Sequence, residues 1–180
     1  MSKSPLHIYV DGSSGRTGED LATSDTPAGW GFCVVEGDSG LGRGGGEVVD
    51  ERSGPVVTDP SQPDYLGAEV GSNNTAELTA IAHAARWVLS HPEGDGVVIR
   101  GDSQYALKIA SGEWMAKANQ DLAESVKALW KEADSIRGLR AEHVRAHRGH
   151  RWNERADHLA FRAMQGETPL PLQFWKPGKR

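Results

Sequence analysis

Cysteine is almost absent from this chain. Cys33 is the only one in 180 residues, which excludes an internal disulfide and any zinc site built on paired thiolates. Aromatic residues are sparse at 7%, and no apolar run approaches the ~20 residues that a membrane helix needs. Excess positive charge is lacking too: Lys+Arg 20 against Asp+Glu 25 leaves a net charge of −5, so bulk charge does not hold the chain on nucleic acid. The opening Met1-Ser2-Lys3-Ser4-Pro5 carries no apolar stretch of the signal-peptide kind. With 37% hydrophobic and 25% charged residues, the expectation is a soluble globular domain, monomeric and in a reducing, cytoplasmic compartment, with no membrane attachment.

What is present alternates between strand-like and helix-like segments. Leu6 to Asp11 reads as a first strand stopping at the Asp11-Gly12 turn signal, and Gly29 to Val35 as a second. Gly12 to Pro27 is a long polar loop. Gly37 to Gly46 holds six glycines and suits a hairpin connection. Glu47 to Asp50 and Gly67 to Val70 read as pieces of a third strand, separated by an irregular stretch, Ser53 to Asp64, with Pro55, Pro60 and Pro63 in or beside it. A helix opens at Asn74, with Leu78, Ile81, Ala85, Val88 and Leu89 at helical spacing. Val97-Val98-Ile99 is a short buried strand ending at Gly101-Asp102. Helices at Tyr105 to Ala110 and Asn119 to Asp134, a strand at Leu139 to Val144, and a helix at Asn153 to Met164 complete the domain, residues 1–165. Residues 166–180 form a proline-containing tail with Lys176, Lys179 and Arg180. Strands first and crossover helices afterwards imply an α/β fold with a five-stranded mixed sheet flanked by helices.

The acids fall at element ends. Asp11 ends the first strand and Asp102 follows the fourth, while Glu77 and Asp157 lie in early turns of helices. Each has an ordinary explanation. Glu77 completes a capping box with Asn74 as N-cap, Asp102 caps the helix from Ser103, Asp11 is a turn aspartate, and Asp157 favours a helix start. Together they suggest more, since strands one and four could be neighbours joined by a helical crossover, so that their ends could meet at one rim. Converging oxygen ligands with no cysteine suit hard cations, Mg²⁺ or Mn²⁺, and two such ions clamp an in-line phosphoryl displacement. An arginine run, Arg137, Arg140, Arg145, Arg148, Arg151 and Arg155, with His143, His147 and His150 among it, is a solvated basic face unless a site lies beside it.

IYVDGS, NNTAEL, GDSQYAL and AHRGHRWNERADHLA resemble, in order, spacing and element context, the type 1 ribonuclease H family over Leu6 to Met164. The resemblance implies a ribonuclease H-like fold and an endoribonuclease that hydrolyses the RNA strand of RNA–DNA hybrids with two Mg²⁺ ions, Mn²⁺ substituting, to leave 5′-phosphate and 3′-hydroxyl ends. It makes Asp11, Glu77, Asp102 and Asp157 the metal-binding carboxylates, with Asp11 shared. His147 becomes a loop histidine that assists proton transfer and product release. Asn73, Asn74 and Gln104 would meet the hybrid's minor groove, where the 2′-hydroxyl marks RNA. Ser72 and Asn119 would grip a DNA phosphate, with Ser in place of the more usual Thr. Gly12 and Ser13 join the substrate contacts after the first aspartate, and Asn153 would cap the last helix and orient Asp157.

The chain also departs from the pattern. Gly12 to Pro27 replaces a short turn, and the basic protrusion between the central helices is missing, since Gly112 to Asn119 holds only Lys117. Trp114 survives there. Compensating cations are expected in the arginine run or in Lys176, Lys179 and Arg180. A binding module that had lost its chemistry would show a damaged acid set, and all four acids are present. A resolvase- or transposase-like nuclease fits NNTAEL and DSQY less well.

Overall fold

The computed structural model describes residues 5–15, 21–145 and 150–180. Five strands form one mixed sheet: β1 (Leu6–Ser14), β2 (Ala28–Glu36), β3 (Glu47–Pro55), β4 (Val97–Gly101) and β5 (Leu139–His143). Their order is β3-β2-β1-β4-β5; β1 to β3 form an antiparallel meander, and β1/β4 and β4/β5 are parallel. The helices are α1 (Asn73–Ser90), α2 (Gln104–Ala110), α3 (Gln120–Arg137) and α4 (Arg151–Met164). The family's fold class expected from the sequence is therefore the one observed. The connection from α2 to α3 is short, as the sequence indicates.

Strand alternation sorts the side chains into two layers. Ile8, Val10, Phe32 and Val34 face α1 and α3 in the larger core, with Leu78, Ile81, Leu122 and Val126. Tyr9, Cys33 and Val35 face the opposite side, where Trp152, Ala156 and Leu159 of α4 cover them. Cys33 is fully buried in that second layer.

Three expectations about local structure change. The third strand is continuous from Glu47 to Pro55, and Gly67 to Val70 is no strand, because β3 pairs with β2 through Gly29↔Pro55. The N-cap of α1 is Ser72, whose hydroxyl accepts from Thr75 N while Thr75 closes the box; Asn74 is no cap and Glu77 no box residue. Helix α4 starts at Arg151 with His150 as N-cap, so Asn153 sits inside its first turn instead of capping it.

Glycines set how near the helices come. A Cβ on Gly12 would lie 2.5 Å from Ala76 C and Glu77 N, so α1 rests directly on the end of β1. On the other face, a Cβ on Gly31 would lie 2.6 Å from Leu159 Cβ and 2.8 Å from Ala160 N, and one on Gly29 would lie 2.4 Å from Ala160 O. The buried guanidinium of Arg155 adds a fork onto Glu51 of β3, at 2.6 and 2.8 Å, which ties α4 to the sheet edge. Because backbone atoms stand in the way of a methyl group at residue 31, Gly31→Ala is expected to destabilise the fold by roughly 1–3 kcal/mol in urea unfolding. A change below about 0.5 kcal/mol would show that α4 does not sit this close to β2.

Candidate metal centre

Asp11 lies on β1 directly opposite Gly31 of β2, on the face that α4 covers. Since Gly31 has no side chain, α4 brings its second turn, with Asp157, toward that carboxylate. From the other face, Gly12 lets the first turns of α1 bring in Glu77. The parallel pairing of β1 with β4 puts Asp102, one residue past β4, at the same rim. One oxygen from each of Asp11, Glu77 and Asp102 lies within 4.8 Å of the others. Asp157 lines a cavity of about 170 Å³ with Asp11, Asp102 and Asn153.

The capping explanations for Glu77 and Asp102 fall away. Ser103, not Asp102, caps α2 by accepting from Ala106 N, and Ser72 caps α1 without Glu77. Asp11 is 3% and Glu77 8% exposed, too buried for acids without a purpose. Burial first, then the charge of Asp102, pushes the Asp11 carboxyl well above the ordinary carboxylate range. Burial and then the charges of Asp11 and Asp102 do the same to Glu77, whose carboxyl shares hydrogen bonds with Asp11 and Asp102. The donors are all oxygen and converge within one ion's reach, which suits a hard divalent cation. Asn153 adds an independent sign: it is 3% exposed, and its Oδ1 is buried without a hydrogen-bond partner beside the same cavity. The residues fit a divalent metal.

The substrate residues expected from the sequence are scattered around this rim. Asn73 is exposed at the start of α1, with Asn74 next to it, and Gln104 is exposed at the start of α2, two residues past Asp102. Asn119 is the N-cap of α3 in left-handed conformation (φ 56°), and its side chain makes no cap bond. Ser72 is buried, and its hydroxyl is engaged in the α1 cap. Ser13 is also buried and points its hydroxyl at Met164 Sδ, 3.5 Å away. Gly12 is the contact with α1 already described. His147 lies outside the described residues.

Among the described residues the arginine run does not form one basic face; Arg148 lies outside them. Arg137 donates to the carbonyls of Asp95 and His91, Arg140 pairs with Glu142, Arg151 stacks on Trp152 and Arg155 is buried against Glu51. The cations at the cavity come instead from the tail, Lys179 and Arg180, with Arg180 forking onto Asp157 at 3.0 and 3.1 Å. Sequence reading singled out these tail residues only as loose compensation, since nothing in their spacing places them beside an acid 23 positions away. A larger cavity, about 720 Å³, opens at the other end of β1, but the acids along it (Glu36, Asp50, Glu93 and Asp95) form no metal-sized group among the described residues.

Comparison with known proteins bears on this geometry. A family model described as RNase H matches residues 3–165. The ribonuclease H of Anaplasma marginale (strain St. Maries) is 30% identical, in an alignment spanning 95% of this chain and 97% of that protein. The crystal structure of RNase H1 from the halophilic archaeon Halobacterium salinarum NRC-1 superposes with a TM-score of 0.62 at 27% identity, covering 91% of this chain and 99% of that one. LC11-RNase H1, solved in complex with an RNA/DNA hybrid, shares the fold with a TM-score of 0.61 at 22% identity, covering 89% of this chain and 97% of that one.

Raised carboxyl pKa values mean that folding takes up protons. The stability they confer is fully present below the ordinary values of 3.8 for Asp and 4.5 for Glu, and is lost as pH rises above them. In EDTA the melting temperature is therefore expected to fall as pH rises above 4.5, with Mg²⁺ reversing the loss. Glu77→Gln should flatten that slope, and an unchanged slope in this variant would contradict the raised Glu77 pKa.

Proposed function

The chain belongs to the ribonuclease H family as a type 1 member, and we propose that it cuts the RNA strand of RNA–DNA hybrids internally by a two-metal-ion mechanism, leaving 5′-phosphate and 3′-hydroxyl ends. The observation that carries the mechanism is the convergence of Asp11, Glu77 and Asp102 within 4.8 Å, with Asp157 on the same cavity. The hybrid as substrate is supported by the neighbour solved with an RNA/DNA hybrid.

When bound, two divalent cations, Mg²⁺ with Mn²⁺ able to substitute, would offset the charge of the phosphodiester and make a bound water more acidic. Asp11 would be the shared ligand, since it belongs both to the group with Glu77 and Asp102 and to the cavity that Asp157 lines. Glu77 would have to be ionised on loading, since a carboxylate ligates only in that form, and the cation would offset the upward push on its pKa. Asn73, Asn74 and Gln104, at the starts of α1 and α2, would offer amides to the hybrid's minor groove, and Glu77 would accept a hydrogen bond from the 2′-hydroxyl. The phosphate grip assigned to Ser72 and Asn119 would fall chiefly on Asn119, because Ser72 already uses its hydroxyl in the cap. His147 is retained as the group that moves a proton and helps product leave. The reading keeps the protein a monomer in the cytoplasm. Among the described residues no helix is long and apolar enough to cross a membrane.

One labelled RNA strand, annealed to DNA or to RNA, is expected to be cut only in the hybrid and only with Mg²⁺ or Mn²⁺, not in EDTA. Cutting of the RNA–RNA duplex would overturn the proposed selectivity. Asp102→Asn should abolish cleavage while leaving the fold intact or slightly more stable, because it relieves repulsion among clustered acids. Near-parental turnover would remove Asp102 from the site. His147→Ala should slow turnover with hybrid binding nearly unchanged, and a large loss of binding would refute the assigned role.

A further inference from the structure

The tail is fastened to α4 at several points. Trp175 is 3% exposed, stacks against Arg155 at 5.3 Å and donates from its indole nitrogen to Lys179 O at 2.9 Å. His158 is fully buried beside it. Its Nε2 accepts from Leu170 N at 3.0 Å, so its Nδ1 carries the proton and donates to Lys179 O at 3.2 Å. A neutral imidazole suits this bridge, and burial lowers the His158 pKa in that direction. Gly178 turns the chain in left-handed conformation (φ 87°), which only glycine adopts without strain. His158 is the neighbour of Asp157 in sequence, so the same clamp sets Arg180 against that acid. The guanidinium lies over the Phe161 ring at 4.4 Å and gives Nε and Nη2 to the two oxygens of Asp157, at 3.1 and 3.0 Å.

We propose that Arg180 is a built-in counter-ion of the catalytic site, seated on Asp157 and displaced from it when a divalent cation binds there. Both carboxylate oxygens of Asp157 are engaged by the fork. A cation ligated by the same oxygens would bring two like charges together, so the two occupants exclude each other. The tail thereby sets how much metal is needed to load the Asp157 side, and its charge also reaches Asp11 across the same cavity. The inference rests on the metal-site reading given under Proposed function. The fork is half exposed, so the competition it offers is modest, about fivefold on apparent metal affinity.

Mn²⁺ binding to the full chain, followed as loss of the free-ion electron paramagnetic resonance signal, tests this without any turnover. Wild type, Arg180→Ala and Arg180→Lys are titrated alongside Asp157→Asn and the double variant Asp157→Asn/Arg180→Ala. Arg180→Ala should tighten the weaker Mn²⁺ step about fivefold, with Arg180→Lys between it and wild type, and the gain should vanish in the Asp157→Asn background. Equal Mn²⁺ affinities in wild type and Arg180→Ala would overturn the counter-ion role while leaving the metal site standing. Absence of Mn²⁺ binding in every protein, or the same binding in an Asp11→Asn control titrated beside them, would instead remove the metal site itself and the counter-ion with it. Weaker hybrid binding in Arg180→Ala, at unchanged Mn²⁺ affinity, would reassign the arginine to gripping substrate and also overturn the proposal.

Discussion

Two helices pressed against one pair of strands, one on each face, is the constraint from which the rest follows. Gly12 admits the backbone of α1 where a methyl group would collide at 2.5 Å, and Gly29 and Gly31 admit α4 in the same way. Interiors pack densely enough that a single added carbon at such points must move backbone. The close approach lets Glu77 from one layer and Asp157 from the other converge on Asp11 at the rim. The Glu51–Arg155 fork holds α4 in that position from the sheet edge.

The same closeness creates an electrostatic problem. Four carboxylates share a partly buried rim, two of them less than 10% exposed. Without added positive charge the cluster relieves itself by holding the Asp11 and Glu77 carboxyls above their ordinary range, and by drawing the Arg180 guanidinium onto Asp157. Both devices supply what a divalent cation would supply, and both are reversible. A site that is costly when empty binds its cation strongly, since loading removes the repulsion as well as forming new bonds.

Positive charge is therefore distributed differently from the impression the sequence leaves. The arginine run around β5 and α4 is largely occupied in holding the fold: Arg155 inside, Arg137 on the carbonyls at the far end of the sheet, Arg140 on Glu142. Among the described residues, the cations at the acidic rim arrive from the tail through a clamp built on Trp175 and His158. With the connection between α2 and α3 short, the tail carries the cations described at the cavity edge.

The sheet, the order of its elements and the four acids were legible in the sequence, because strand alternation, helical spacing and the motifs around Asp11, Glu77, Asp102 and Asp157 are local patterns set by side chains a few positions apart. The helix caps were misread for an equally local reason: Ser72, Asn74 and Asn153 all carry cap-forming side chains, and only the backbone path selects which residue adopts the extended conformation of a cap. The position of the tail was not legible at all. Arg180 meets Asp157 across 23 residues, through a buried histidine and a buried tryptophan whose partners are far away in sequence. The sequence by itself determined which groups could hold a metal. The tertiary structure decided which cation of the chain competes for them, because burial and charge pairing depend on distances that only the packed fold defines.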